Sequence, residues 1–117
     1  MKICAAVIGT GVGIKHYDAI EGYKGSRVKI ICEKDKSKFK ILKNKYPNTI
    51  ITSNDEDIFR DKDINLVSIA SYDEDHFGQI INCLNTNKNI IIEKPICLTQ
   101  TELKKIYKLA ITKKNLS

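Results

Sequence analysis

The sequence predicts an α/β fold in which a doubly wound parallel sheet carries helices on both faces. Short apolar runs, typical of buried strands, alternate along the chain with segments of helical period. Parallel neighbouring strands need such crossover helices. A glycine-rich turn also follows the first apolar run, and the charged tripeptide Glu93-Lys94-Pro95 follows a later one. Both turns leave the carboxyl ends of predicted strands, which is the edge where ligands bind to such sheets.

Five apolar runs are predicted as strands: residues 2–8, 27–32, 49–52, 65–70 and 89–92. The segments between them have helical spacing of apolar residues. Helices are predicted over 12–22, over 36–46, from a capping box at 53–56, and around the apolar positions 77, 80, 81 and 84. A second capping box at 99–102 opens a last helix, whose apolar stripe runs to position 111.

Length and composition favour one globular domain over residues 1–117. The net charge is +6, but 18 of the 20 basic residues are Lys and only 7% of the residues are aromatic. Nucleic-acid surfaces usually cluster Arg or interleave aromatics, so we expect no nucleic-acid partner. The apolar runs are far too short to span a membrane, so we expect no membrane partner either.

The four Cys form no CxxC pair and no Cys/His spacing suited to zinc, so no metal site is predicted. We expect buried, reduced thiols in a cytoplasmic protein, because the sequence has no signal peptide.

The glycine-rich turn predicts a phosphate-binding site. Gly9 permits a tight turn out of the first strand, and Gly11 lets the backbone approach a pyrophosphate. The helix that starts near Val12 offers free N–H groups to that anion. The usual third glycine of this fingerprint would fall at position 14, whereas Gly13 lies one residue early. Either the turn is one residue shorter or the helix begins in another register. The predicted contacts of the turn are Gly9, Thr10, Gly11, Val12 and Gly13.

Glu33 ends the second predicted strand, 24 residues after Gly9. This is close to where an acidic residue accepts hydrogen bonds from the adenosine ribose hydroxyls. A carboxylate there would repel a ribose 2′-phosphate, which favours NAD over NADP. Lys34 and Lys36 favour the opposite choice, so NADP stays possible.

Four segments together carry a family resemblance: 7–11 with His16, 31–35, 67–76 and 87–95. With them the chain resembles the nucleotide-binding half of the glucose–fructose oxidoreductase / inositol dehydrogenase family, which has a Rossmann-like fold. The resemblance implies hydride transfer between a nicotinamide and a hydroxyl-bearing carbon of a sugar or cyclitol. It implies that Lys94 is catalytic, orienting the reacting hydroxyl and tuning its proton transfer. Further cofactor contacts that it implies are Lys34, Ala70, Ser71, Tyr72, His76, Glu93 and Pro95. His16 is expected to be structural.

The sequence departs from the family pattern at three points. The interval from Gly9 to His16 is one residue short, and Tyr72-Asp73 replaces the usual Pro-Asn. The family's second domain, which carries the substrate pocket, is absent from these residues, so the chain is expected to be inactive alone.

Two other interpretations stay open: a standalone dinucleotide-binding module or subunit, and a different enzyme class on the same fold. We also expect a homo-oligomer, because the sheet edge and the surface facing a missing second domain would be exposed.

Overall fold

The computed structural model describes residues 3–11, 13–22, 24–70, 73–92 and 101, with the backbone alone for 73–76. In this part of the chain, five strands form one parallel sheet: β1 (Ile3–Ile8), β2 (Ser26–Cys32), β3 (Ile50–Thr52), β4 (Leu66–Ile69) and β5 (Asn89–Ile92). Their order across the sheet is β3-β2-β1-β4-β5. The chain therefore builds outward from β1 on one side and then crosses back to place β4 on the other. The predicted doubly wound fold is confirmed.

Among the described residues, four α-helices connect these strands: α1 (Gly13–Glu21), α2 (Phe39–Lys45), α3 (Glu56–Phe59) and α4 (Asp73–Asn85). A 3₁₀ turn, Lys36–Lys38, precedes α2. The last predicted helix and its capping box lie outside the described residues, except for Thr101. Within the described part of the chain, every helix is too short or too polar to cross a membrane.

Apolar side chains cover both faces of the sheet. Successive residues of β1 point to opposite faces, so that Ala5 and Val7 enter one core cluster while Ala6 and Ile8 enter the other. The first cluster includes Ile20 of α1 and residues of and after α2, and the second includes residues of α3 and α4. Burial on both faces explains why the strand runs are continuously apolar instead of alternating.

Two helix starts differ from the prediction. The capping box expected at 53–56 is wrong, because α3 begins at Glu56 and its N-cap, Asp55, makes no side-chain cap bond. Instead, the Asn54 side-chain oxygen accepts the Glu56 N–H at 3.0 Å and closes a local turn. The helix expected over 36–46 is divided, because the Asp35 carboxylate accepts the Ser37 N–H at 3.0 Å and caps a 3₁₀ turn before α2.

Candidate dinucleotide-binding site

A cavity of about 360 Å³ lies at the carboxyl ends of β1, β2 and β4. This is where the strand order reverses. From β1 the chain adds β2 and β3 on one side, and it then places β4 and β5 on the other side of β1. Ligands of open α/β sheets bind in the crevice at such a point. The described lining residues are Ile8, Gly9, Thr10, Gly11, Cys32, Glu33, Lys34, Lys38, Ser53, Asn54, Asp55, Ala70 and Gln79.

The turn after β1 forms one wall of the cavity. Gly9 has φ of 90°, a conformation that favours glycine, and its N–H donates to the Cys32 carbonyl at 2.9 Å. Gly11 is exposed, and a Cβ built on it would have no neighbour within 4 Å. The backbone at Gly11 is therefore open to a ligand. The nine-residue helix α1 begins two residues later and presents its N-terminal end beside the turn.

Gly13 has a different place in the structure. It is buried as the first residue of α1, and a Cβ built on it would stand 2.8 Å from the Val7 Cγ1 atom and 3.6 Å from the Ala70 Cβ atom. It is not among the described lining residues of the cavity. Gly13 thus lets α1 approach the sheet closely, which is the role of the third glycine of the fingerprint. Of the two possibilities left by the sequence, the shorter turn fits this geometry.

The carboxylate of Glu33 lies on the adjacent wall of the cavity, directly after β2. Glu33 is 8% exposed, and its backbone N–H donates to the Thr52 carbonyl at 2.8 Å. The Asp35 N–H donates to Oε2 at 2.9 Å, and the Thr10 hydroxyl donates to Oε1. The Lys38 ammonium lies 3.9 Å from Oε1. The cavity therefore contains one firmly held carboxylate with a cation at its edge.

Cys32 also lines the cavity, but its thiol is unreactive. Burial raises the pKa of Cys32 to about 12, and the nearby negative charges of Asp55 and Glu33 act in the same direction. The thiol is therefore protonated at neutral pH and is no nucleophile. Cys4, Cys32 and Cys83 are all free.

The structure brings six of the predicted site residues together on the cavity: Gly9, Thr10, Gly11, Glu33, Lys34 and Ala70. Six others lie outside the described residues: Val12, Ser71, Tyr72, Glu93, Lys94 and Pro95. His76 lies in α4, where only its backbone is described. His16 of α1 contacts the Ser68 hydroxyl through Nδ1, and Ser68 is fully buried in β4.

The lining residues from the loop after β3, such as Asn54 and Asp55, were not among the predicted site residues, and neither were Lys38 and Gln79. A signal for the loop was present, because β3 was predicted and its carboxyl end had to meet the same sheet edge. No local pattern identified Lys38 or Gln79.

The fold and this cavity define a dinucleotide-binding domain of the doubly wound α/β class. The chain belongs to the oxidoreductase family with an NAD-binding Rossmann fold (GFO_IDH_MocA), whose family model matches residues 3–117. This confirms the family resemblance seen in the sequence.

Known proteins similar to this chain include enzymes and solved oxidoreductase structures. An inositol 2-dehydrogenase of Salmonella typhimurium is 27% identical over 109 residues, which cover 91% of this chain and 32% of the enzyme. A biliverdin reductase from Synechocystis, solved with biliverdin and NADP⁺, superimposes with a TM-score of 0.90 at 21% identity, over 97% of this chain and 36% of that one.

An oxidoreductase from Agrobacterium radiobacter, solved with NAD⁺, L-tartaric acid and magnesium, gives a TM-score of 0.87 at 19% identity, over 99% of this chain and 34% of that one. These structural likenesses show the fold. The chain spans about a third of the length of the curated relatives that it matches.

Proposed function

We propose that this chain binds NAD(H) for an oxidoreductase that transfers a hydride between the nicotinamide and a hydroxyl-bearing carbon of a sugar or cyclitol. The observation that carries the proposal is the Glu33 carboxylate, held on the wall of a cavity whose other wall is the glycine turn. The bound group would be a nicotinamide dinucleotide, and the residues that line the cavity fit it.

The carboxylate of Glu33 has the hydrogen-bonding capacity that an adenosine ribose requires. An ionised carboxylate accepts at about four lone-pair positions. The Thr10 hydroxyl occupies one on Oε1, and the Asp35 N–H occupies one on Oε2. Each oxygen therefore keeps one acceptor position for a ligand. Two acceptors on one carboxylate match the vicinal 2′- and 3′-hydroxyls of the ribose in NAD.

The same carboxylate disfavours NADP. A ribose 2′-phosphate would replace a hydrogen-bond donor with a dianion beside a fixed negative charge, and Asp55 adds a second carboxylate to the cavity lining. Lys34 and Lys38 reduce this repulsion, since both line the cavity. We therefore propose a preference for NAD and not an absolute exclusion of NADP.

The turn and helix α1 suit the pyrophosphate. Gly11 has open space where a side chain would otherwise stand, so the backbone N–H groups of the turn can face the phosphates. The positive end of the α1 dipole would stabilise their charge.

The hydride-transfer part of the proposal rests on the family membership and on the Glu93-Lys94-Pro95 segment. When bound, the nicotinamide supplies the hydride donor or acceptor. Lys94 would orient the reacting hydroxyl and assist the movement of its proton. The similar Salmonella enzyme is an inositol 2-dehydrogenase, which supports a cyclitol or sugar as the substrate class. Because the chain spans about a third of such relatives, we expect binding without turnover from this chain alone.

The test is a fluorescence titration of the purified chain with NADH, compared with NADPH, AMP and S-adenosylmethionine. We expect saturable binding of NADH that is tighter than that of NADPH. Glu33→Gln should weaken NADH binding and reduce the preference. Asp18→Asn is a control for loss of one negative charge, because Asp18 is exposed on α1 away from the cavity. The absence of a response to both nicotinamide nucleotides would refute the proposal.

A further inference from the structure

Thr10 connects the two walls of the cavity. It lies between Gly9 and Gly11 in the turn after β1, and its hydroxyl donates to Oε1 of Glu33, 23 residues further along the chain. The contact is possible because β1 and β2 are parallel neighbours whose last residues, Ile8 and Cys32, are paired in register. The residues that follow these two strands therefore project into the same space.

Lys38 lies near the same oxygen of Glu33 that accepts the hydrogen bond from Thr10. Its ammonium lies 3.9 Å from Oε1, which is beyond normal hydrogen-bond distance, and its side chain is 51% exposed. Lysine side chains have a flexible four-carbon stem, so the ammonium can move closer at little cost. Rotation of the Glu33 carboxylate toward Lys38 would form a closer ion pair. In that arrangement the acceptor positions would turn away from the ribose, and the carboxylate charge would be partly neutralised.

We propose that Thr10 is a positioning residue for cofactor selection. Its hydroxyl holds the Glu33 carboxylate away from Lys38 and keeps one lone pair of each oxygen directed into the cavity. Thr10 thereby maintains both the recognition of the ribose hydroxyls and the repulsion of a 2′-phosphate. This inference rests on the proposed binding of NAD(H), but it concerns a residue that acts through Glu33 and not by contact with the ribose.

The test compares Thr10→Val, which keeps the side-chain shape and removes the donor, with Thr10→Ser, which keeps the hydroxyl. Dissociation constants for NADH and NADPH are measured by fluorescence on the whole chain. Thr10→Val should weaken NADH binding about tenfold, the loss expected when the turned Glu33 carboxylate gives up one hydrogen bond from the ribose. The ratio of NADPH to NADH dissociation constants should fall toward one. Thr10→Ser should stay within about threefold of the original protein, since it restores the same hydrogen bond.

A double-substitution cycle shows whether Thr10 acts through Glu33. In a Glu33→Gln background, Thr10→Val should cause little further change in NADH binding, because the group that it positions has already lost its charge. An equal loss in both backgrounds would mean that Thr10 acts on the phosphate turn directly, and it would overturn the inference. Thr10→Ala provides the same comparison if Thr10→Val fails to fold.

A ligand-free measurement separates this inference from the proposed function. A crystal structure of the Thr10→Val protein without nucleotide should show the Glu33 carboxylate within about 3 Å of the Lys38 ammonium, compared with 3.9 Å in the original protein. A carboxylate that keeps its position overturns the inference, whatever the chain binds. If the original chain binds neither NADH nor NADPH, the proposed function fails, and the role of Thr10 in cofactor selection fails with it.

Discussion

Gly13 lies so close to Val7 that a β-carbon added to Gly13 would stand 2.8 Å from the Val7 Cγ1 atom. Val7 is fully buried in the central strand, so it has no room to move away. The first turn of α1 is therefore held against β1 at the point where the glycine-rich turn ends.

Gly13→Ala should lower the free energy of unfolding by about 1–3 kcal/mol, because the extra methyl group overfills a packed contact. Urea denaturation measures this change. Gly78→Ala is the matched control, because its added Cβ would have no neighbour within 4 Å on the exposed side of α4. Its stability should be unchanged or slightly higher, since Ala favours a helix over Gly. Equal stability of the two variants would contradict the close packing at Gly13.

Gly11→Ala should weaken nucleotide binding and leave the free energy of unfolding nearly unchanged. The added methyl group meets no protein atom within 4 Å, so the unfolding free energy should change by less than about 0.5 kcal/mol. The methyl group would stand where the backbone has to approach the pyrophosphate. NADH titration should show binding weakened by about tenfold or more, a loss of about 1.4 kcal/mol. Binding unchanged from the original protein would place the pyrophosphate elsewhere.

Lys88 should be important for stability although it lies at the end of the sheet opposite the cavity. It is 3% exposed, and its ammonium donates to the carbonyls of Asp61 at 2.6 Å and Ile64 at 2.9 Å. Burial lowers the pKa of Lys88, and the negative charge of Asp61 opposes that effect. The cost of burying the charge therefore offsets part of what the hydrogen bonds contribute.

Lys88→Met should lower the unfolding free energy by about 2 kcal/mol, because it removes the two hydrogen bonds that the buried ammonium donates to the carbonyls of Asp61 and Ile64. Urea denaturation is again the measurement. Lys62→Met provides the control, since Lys62 is exposed in the same region of the chain. A Lys88→Met protein as stable as the control would mean that water replaces the ammonium without cost.

The ion pair between Lys29 and Asp61 should make stability depend on pH in the acid range. Their charged atoms are 2.7 Å apart. Burial alone would raise the pKa of Asp61, but hydrogen bonds from Lys29 and from the Asp63 N–H outweigh burial and lower it. Because the folded-state pKa lies below the ordinary value near 3.8, the stabilisation is complete above that value and is lost as the pH falls through the folded-state pKa.

Asp61→Asn should therefore destabilise the protein most at pH 6, and the difference from the original protein should shrink as the pH falls below about 4. Urea denaturation at several pH values measures the difference. Asp63→Asn, with a side chain that is 76% exposed and 3.4 Å from the same ammonium, should change stability little. A difference for Asp61→Asn that stays constant with pH would show that its charge contributes nothing.

Much of the fold was predictable because its signals are local. Each strand run is apolar because both faces of the sheet are covered, and all five strand predictions agree with the structure to within one residue at each end. The glycine turn and the position of Glu33 after β2 are also local signals. The helix starts were less predictable, because local hydrogen bonds from the Glu56 and Ser37 N–H groups to the side-chain oxygens of Asn54 and Asp35 decided them.

By itself, the sequence determined the strand order along the chain and the residue types at the sheet edge. It therefore determined the doubly wound fold and the expectation of a nucleotide site. Only the tertiary structure decided that Gly13 packs on Val7, that Thr10 holds Glu33, and that Lys38 lies beside the same carboxylate. These relationships depend on the register of β1 against β2 and on the distance of α1 from the sheet. Thr10 and Glu33 are 23 residues apart. The other two pairs are only five or six residues apart, but they meet through the path of the folded backbone, so no local sequence pattern shows these contacts.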